Sequence, residues 1–180
     1  MEFVAFAENS PLPEAVRRIG VILYSFVKIR TIEMALAALK IFVQQKSFPF
    51  LYCRDSYIAT QLKTNEIPFS QDELNFEEME AGITGCEFLV ARTGSVLVSS
   101  ASQSGRQMNV FPPVHIVLAH VSQLVDYLTD AFIYLHEKYG SELPSTISTI
   151  TGPSRTADIE KTLVLGAHGP KEFIVFLSKI

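Results

Sequence analysis

The order of apolar segments over residues 21–53 constrains the fold more than any other feature of the chain. Residues 21–27 are β-branched and aromatic enough to form a buried strand, and residues 48–53 follow as a second one. Between them, Thr31 is placed to cap a helix whose apolar residues recur at helical spacing as far as about Gln45. A strand, a crossover helix and a further strand form a right-handed unit with parallel strands. The chain is therefore predicted to have an α/β fold, with a mostly parallel sheet flanked by helices.

The remaining segments extend this sheet and add antiparallel hairpins. Residues 87–91 and 95–99 flank Arg92-Thr93-Gly94, which predicts a tight hairpin with Gly94 at positive φ. The other expected elements are helices over 11–18, 55–63 and 122–139, the last ended by Gly140, strands over 67–69, 114–119 and 147–150, and a terminal hairpin of 163–165 with 173–177. Residues 71–81 are expected to form a solvated helix or loop, and residues 99–109 an exposed, mobile loop. No linker divides the chain, so we expect a single domain over residues 1–180.

Composition excludes several classes of function. The net charge is -4 and no Lys/Arg cluster occurs, which argues against a nucleic-acid partner. No apolar run approaches the roughly 20 residues of a membrane helix, and Glu2 and Glu8 stand where a secretory signal would be basic, so a cytoplasmic protein is expected. Only Cys53 and Cys86 are present, and they form no metal or cluster motif, so neither a metal nor a cofactor is expected. The charged fraction of 19% is low and suggests a protein partner, with homo-oligomer formation left open.

Polar residues crowd the segment that follows the predicted strand over residues 147–150. Gly152 and Pro153, with good helix formers over residues 154–162, predict a turn from strand to helix. With Gly152 as the N-cap, backbone N–H groups at the start of the helix would point outward with the positive end of the helix dipole behind them. This geometry favours the binding of an anion at the start of the helix.

The side chains of this turn point to the same chemistry. The hydroxyls of Ser154 and Thr156 can donate hydrogen bonds, and the Arg155 guanidinium matches a carboxylate or a phosphate. The simpler interpretation is that Arg155 pairs with Asp158 one turn further along the helix. Both interpretations stay open on the residues alone.

Two further turns contain candidate residues. His168 lies in a Gly-His-Gly-Pro context and could act as an acid, a base or a ligand, or could be an ordinary turn histidine. Thr93, Gly94 and Ser95 could present donors from a hairpin tip, although they are also standard turn formers. The other three histidines are interpreted as structural: His115, His120 and His136. No nucleophile elbow, phosphate loop or dinucleotide fingerprint occurs.

The chain resembles the LUD domain family at two motifs, Thr-Gly-Pro-Ser-Arg-Thr-Ala-Asp-Ile-Glu over residues 151–160 and Leu-Gly-Ala-His-Gly-Pro over residues 165–170. Similar residues at 83–84, 91–95 and 112–115 extend the resemblance over most of residues 20–178. The resemblance implies the fold shared by glucosamine-phosphate deaminases, ribose-phosphate isomerases and coenzyme A transferases. It also implies a role in a complex that oxidises L-lactate to pyruvate, whose iron–sulfur clusters belong to two other subunits. A chain with two thiols and no dinucleotide motif would not oxidise lactate alone.

Three hypotheses for function follow. The first is an accessory subunit, without iron–sulfur clusters, of an L-lactate oxidation complex that binds an anionic small molecule, a carboxylate or a phosphate, at the 151–158 turn. The alternative is a stand-alone enzyme of this fold that acts on a phosphorylated or coenzyme A-linked metabolite. The third is an interaction module whose motif only holds the terminal hairpin against the sheet. Whether the chain is an enzyme is left open.

The residues assigned to the site fall into two groups. The predicted ligand-binding residues are Thr93, Gly94, Ser95, Thr151, Gly152, Ser154, Arg155, Thr156 and Gly169. The predicted acid–base residues are His168 and Asp158.

Overall fold

The computed structural model describes residues 26–29, 31–72, 78–153, 155–157, 163–165 and 169–178 of the 180-residue chain. Its strands are β1 Phe26–Ile29, β2 Leu51–Tyr52, β3 Phe69–Ser70, β4 Ala81–Thr84, β5 Phe88–Val90, β6 Ser95–Ser99, β7 Val114–His120, β8 Leu124–Val125, β9 Ile147–Ile150, β10 Arg155–Ala157, β11 Leu163–Leu165 and β12 Glu172–Ser178. The α-helices are α1 Ile32–Lys46, α2 Ser56–Thr64 and α3 Leu128–Tyr139.

A six-stranded sheet forms the centre of the fold, in the order β1-β12-β7-β4-β2-β3. All of its pairings are parallel, which confirms the predicted sheet. The helices between its strands begin where expected. The Thr31 hydroxyl accepts a hydrogen bond from the Met34 backbone N–H (3.3 Å), and Asp55 Oδ1 accepts one from the Ile58 N–H (3.0 Å). Each cap satisfies a backbone donor that the first turn of a helix cannot pair.

The two faces of this sheet are covered by different layers. On one face, alternate strand residues pack against α1 and α2 and include Ile116, Leu118 and Phe176. On the other face, Val117 and Val175 and their same-face neighbours pack against a smaller sheet. Both faces are buried, as is usual for a parallel sheet.

The smaller sheet has the order β8-β5-β6-β9. β5 and β6 form the expected antiparallel hairpin, and Gly94 has the expected positive φ of 65°. α3 covers the outer side of this sheet through Ala131 and Leu135. The Glu87 carboxylate accepts hydrogen bonds from Lys138 Nζ (2.8 Å) and the Tyr139 hydroxyl (2.7 Å), which ties the end of α3 to the sheet.

Several elements differ from those expected. Residues 81–84 form a central strand, β4, although the sequence assigned their start to a solvated acidic segment. The helix expected from residue 122 begins at Leu128, because residues 124–125 pair with β5 as the edge strand β8. The segment over residues 99–109 is not simply an exposed loop, since Ser104 and Met108 are buried. Met108 packs beside Gly82, which has no side chain to obstruct it.

The segment after β9 differs most from the structure that the sequence predicted. The helix expected over residues 154–162 is wrong at residues 155–157, because these form the strand β10, which pairs antiparallel with β11. The expected terminal hairpin is also wrong, since β12 pairs with β1 and β7 instead of β11. The helix expected over residues 11–18 and most of the strand expected over 21–27 lie outside the described residues. In the part of the chain that the structure describes, no helix has the length and apolar character needed to cross a bilayer.

Candidate functional site

Three hydroxyl side chains form a continuous hydrogen-bonded chain at one end of the smaller sheet. Thr93 Oγ1 lies 2.8 Å from Ser95 Oγ, and Ser95 Oγ lies 2.8 Å from Thr151 Oγ1. Ser95 is only 2% exposed, whereas Thr93 and Thr151 at the two ends are exposed. This series of hydrogen bonds therefore links a buried hydroxyl to two hydroxyls that face solvent. We call these three side chains the hydroxyl chain.

Strand pairing explains why these residues meet. β6 and β9 are antiparallel with Val96 opposite Ile150, so the next position along places Ser95 beside Thr151. Thr93 reaches the same point because Gly94, at positive φ, reverses the backbone between β5 and β6. The structure thus brings two segments together that lie more than fifty residues apart and that the sequence singled out separately.

The number of protons in the hydroxyl chain determines what it can bind. Three hydroxyls have three protons, and the two internal hydrogen bonds use two of them. When the two bonds run in the same direction, the third proton lies at one end and can be donated outward by Thr93 or by Thr151. This direction is favoured, because two threonine donors would leave the proton of the buried Ser95 without a partner. The site can therefore donate one hydrogen bond to an acceptor such as a carboxylate oxygen, from a partly buried and fixed position.

The residue before Thr93 in the sequence is the cationic Arg92. The Arg92 guanidinium carbon is 5.5 Å from the centre of the Tyr127 ring, at a distance typical of a cation–π contact. The Arg92 backbone N–H donates to the Asp126 carbonyl oxygen (3.1 Å), so the hairpin turn is also fixed to the segment before α3. The cationic side chain of Arg92 thus packs on Tyr127, and Arg92 directly precedes Thr93 in the sequence.

Only part of the predicted site falls within the described residues. Gly152, with φ of 112°, continues the chain directly after Thr151, and Gly169 lies in a bend before β12. Arg155 and Thr156 lie in β10, so outward N–H groups at the start of a helix are not available there. Three predicted site residues lie outside the described residues: Ser154, Asp158 and His168. Their roles remain predictions.

Sequence reasoning did not single out Tyr127 or Glu87. The contact of Tyr127 with Arg92 depends on the parallel pairing of β5 with β8, which no local pattern indicates. Burial acts to raise the pKa of Glu87, but hydrogen bonds from Lys138, Ser99 and Tyr139 hold it below its usual value overall. Glu87 is therefore a charged structural residue that ties α3 to the sheet.

The interpretation of His115 as structural agrees with its surroundings. His115 lies in β7, is fully buried, and packs edge-on against Phe173. Its Nε2 atom lies 2.9 Å from the Thr84 hydroxyl. Burial lowers the pKa of His115 to about 4, so the ring is neutral at physiological pH.

Neither thiol has the character of a nucleophile. Burial raises the pKa of both Cys53 and Cys86 to about 12, so each is protonated near neutral pH. Within the described ranges, no group of three or more histidine, cysteine, aspartate or glutamate side chains is arranged to hold a metal ion.

Comparison with known proteins finds a matching family model and several related proteins. The model of the family described as LUD domain matches residues 18–178. Lactate utilization protein C of Geobacillus sp. (strain WCH70) is 34% identical over 131 residues, which cover 64% of this chain and 54% of that protein. The protein of the same name from Bacillus subtilis (strain 168) is 38% identical over 96 residues, which cover 52% of this chain and 40% of that protein. The chain thus spans about half the length of the curated relatives it matches.

A solved structure has the same fold. The crystal structure of a DUF162 family protein from Deinococcus radiodurans superimposes with a TM-score of 0.64 and covers 93% of this chain and 99% of that one. The sequence identity is 16%, so this likeness concerns the fold alone.

Proposed function

This chain belongs to the LUD domain family, and from that membership we propose that it takes part in lactate utilisation. Its role would be that of an accessory subunit, without iron–sulfur clusters, in a cytoplasmic complex that oxidises L-lactate to pyruvate. In that complex it would bind an anionic small molecule, a carboxylate or a phosphate, where the 151–158 turn meets the 92–95 hairpin. The names of the relatives from Geobacillus and Bacillus support the pathway.

The observation that carries the binding proposal is the hydroxyl chain. It joins the two separately predicted segments and leaves one proton to donate outward, and the cationic Arg92 directly precedes Thr93 in the sequence. Lactate and pyruvate are both carboxylates, which accept such a hydrogen bond and are attracted by an arginine. A fixed donor with a neighbouring cation can position a carboxylate without changing it chemically.

The electron-transfer step belongs to other subunits in this proposal. The sequence contains no cluster motif or dinucleotide fingerprint, and two isolated cysteines cannot ligate an iron–sulfur cluster within the chain. His168 and Asp158 remain the residues that we propose for any proton transfer at the bound ligand. Substitution of either one should then lower the activity of the complex without weakening binding at Thr151.

Calorimetric titration of the purified chain with lactate, pyruvate and inorganic phosphate tests the binding site. Thr151→Val keeps the shape of the side chain but removes an end of the hydroxyl chain. We expect it to weaken binding by about tenfold, since a lost hydrogen bond to a charged group costs on the order of 1.5 kcal/mol. Arg155→Ala tests the guanidinium that the sequence assigns to the same site.

Ser145→Ala is the matched control, because it also removes a hydroxyl–hydroxyl hydrogen bond (3.1 Å, to Ser100) at the opposite end of the β6–β9 pair. It should leave affinity unchanged. Equal affinities of the wild type and Thr151→Val, or no binding of any of the three anions, would contradict the assigned site.

The role in the pathway is tested separately. Deletion of the encoding gene in its host should abolish growth on L-lactate, and the wild-type gene should restore it. Turnover of a sugar phosphate or a coenzyme A ester by the purified chain alone would instead support a stand-alone enzyme.

A further inference from the structure

Helix α1 is apolar on the side that faces solvent as well as on the side that faces the sheet. Its inward residues Ala35, Leu36 and Leu39 are completely buried. On the opposite side, Met34 is 51% exposed and Ile41 is 54% exposed. A helix that is apolar around its circumference is usually covered on both sides.

The centre of the solvent side of α1 has no charged residue, and Glu33 and Lys40 lie at its flank. Residues spaced three, four and seven positions apart share one face of a helix. We call the following exposed residues the outer face of α1: Met34, Ala37, Ile41, Gln44 and Gln45. The small residue Ala37 lies between two larger apolar side chains, which lets a second helix approach closely there.

We propose that the outer face of α1 binds the same face of a second copy of this chain, with the two helices antiparallel about a two-fold axis near Ala37. With a rise of about 1.5 Å per residue, Met34 of one copy then lies close to the level of Ile41 of the other copy. The small side chain of Ala37 lets the two helices approach closely at the axis. The contact is isologous, as in most dimers of identical chains.

Charge complementarity favours this occupant and this orientation. Glu33 and Lys40 lie on the same flank of the outer face, about 10 Å apart along the helix axis. A two-fold axis midway between them, which is beside Ala37, places Glu33 of each copy opposite Lys40 of the other. A parallel arrangement would instead place the two copies of this flank on opposite sides of the interface, so that Glu33 could not meet Lys40. The position that pairs the charges is thus also the position of the small residue Ala37.

Lys40 is already held in place for such a pair. Its Nζ atom donates to the Asn65 carbonyl oxygen (3.1 Å) and lies 3.4 Å from Glu66 Oε2. An ammonium group has three donors, so one remains for Glu33 of the second copy. The side chain therefore loses little further freedom when the pair forms.

Sedimentation velocity of the whole chain, over a series of concentrations from about 1 to 200 μM, tests the interface. We expect a reversible dimer with a Kd in the micromolar range, since contact through a single helix face generally buries less than the roughly 800 Å² per partner of a standard interface. Ile41→Glu and Met34→Glu should each raise the Kd of the dimer more than about tenfold, since a charge would be buried without a partner. Both positions are exposed in the monomer, so the melting temperature should not change.

Ile133→Glu is the matched control, because Ile133 is 57% exposed on α3, away from the proposed interface. It should leave the Kd unchanged. A chain that stays monomeric at every concentration would overturn the proposal. So would a dimer that Ile133→Glu weakens as much as Ile41→Glu does.

Disulfide trapping tests the orientation. With oxidised glutathione as the oxidant, Ala37→Cys should link two copies, since position 37 lies beside the axis and close enough to its counterpart. Gln45→Cys should not, because antiparallel helices would hold the two copies of residue 45 about 25 Å apart. Linkage through both positions would indicate parallel helices and overturn the antiparallel arrangement. Cys53 is fully buried in the monomer, and Cys86, which is partly exposed, is replaced by serine in both variants so that neither native thiol competes.

Discussion

Acid should destabilise this protein through His115, a buried side chain in the middle of the central sheet. The folded state keeps this imidazole neutral, because burial lowers its pKa from 6.5 to about 4. The unfolded chain binds a proton there at any pH below about 6.5. As the pH falls from 6.5 towards 4, protonation therefore favours the unfolded state, and stability present above pH 6.5 is lost. Below about pH 4 the folded state also binds the proton, and this loss levels off.

The size of the effect follows from the two pKa values. The difference between 6.5 and about 4, at about 1.4 kcal/mol for each pH unit, gives a loss of about 3 kcal/mol by pH 4. That is a large part of the roughly 5–15 kcal/mol that stabilises an ordinary domain. Neither Phe173, which packs edge-on against the ring, nor the Thr84 hydroxyl offers a charge that would favour the protonated form.

Urea unfolding followed by circular dichroism, at pH values from 7 to 4, measures this loss. The comparison protein is His115→Gln, which has no titratable group at this position but can still hydrogen-bond to Thr84. Carboxylates such as Glu87 also contribute to the pH dependence, but they are present in both proteins and cancel in the difference. The wild type should lose about 3 kcal/mol more than the variant over this range. Equal losses in the two proteins would refute the reasoning.

Two further substitutions test how the layers are held together. Glu87→Gln should lower the free energy of unfolding by about 2–3 kcal/mol in a urea titration, since Lys138 loses its partner and a buried hydrogen-bond network is disrupted. Gly82→Ala should lower it by about 1–3 kcal/mol, because an added Cβ would lie 2.6 Å from Pro112 Cγ. Gly85→Ala is the control for the latter, since its Cβ would meet only Ile58 Cδ1, at 4.0 Å; an equal cost for both would contradict the steric explanation.

The sequence predicted correctly those parts of the fold that are determined by residues close together in the chain. The cap at Thr31 and the apolar stripe of α1 depend on residues within one helix, and the hairpin at Gly94 depends on its own turn. β4 was missed because it is short and contains Gly82, with no alternation to mark it. Its burial comes from its place between β2 and β7, which are distant in sequence.

The contrast between local residues and contacts between distant residues also explains why the predicted structure after β9 was wrong. Residues 154–162 have the composition of a helix, but residues 155–157 pair with β11 as a strand, so tertiary pairing overrides a weak local preference. Thr93 and Thr151 were predicted as site residues because turn residues of this kind stand out individually in the sequence. Their connection through Ser95 could not be predicted, since it depends on the register of β6 against β9.

The place of β12 in the central sheet has a consequence for biosynthesis. This strand, Glu172–Ser178, lies between β1 and β7, where Phe26 pairs with Val175 and Val114 with Glu172. A ribosome makes both neighbours long before the strand that joins them. Until residues 172–178 emerge, β1 lacks this pairing and β7 has an open edge, and exposed strand edges of this kind are prone to aggregate. The nascent chain must therefore remain unaggregated, with its sheet incomplete, until translation reaches the strand that closes it.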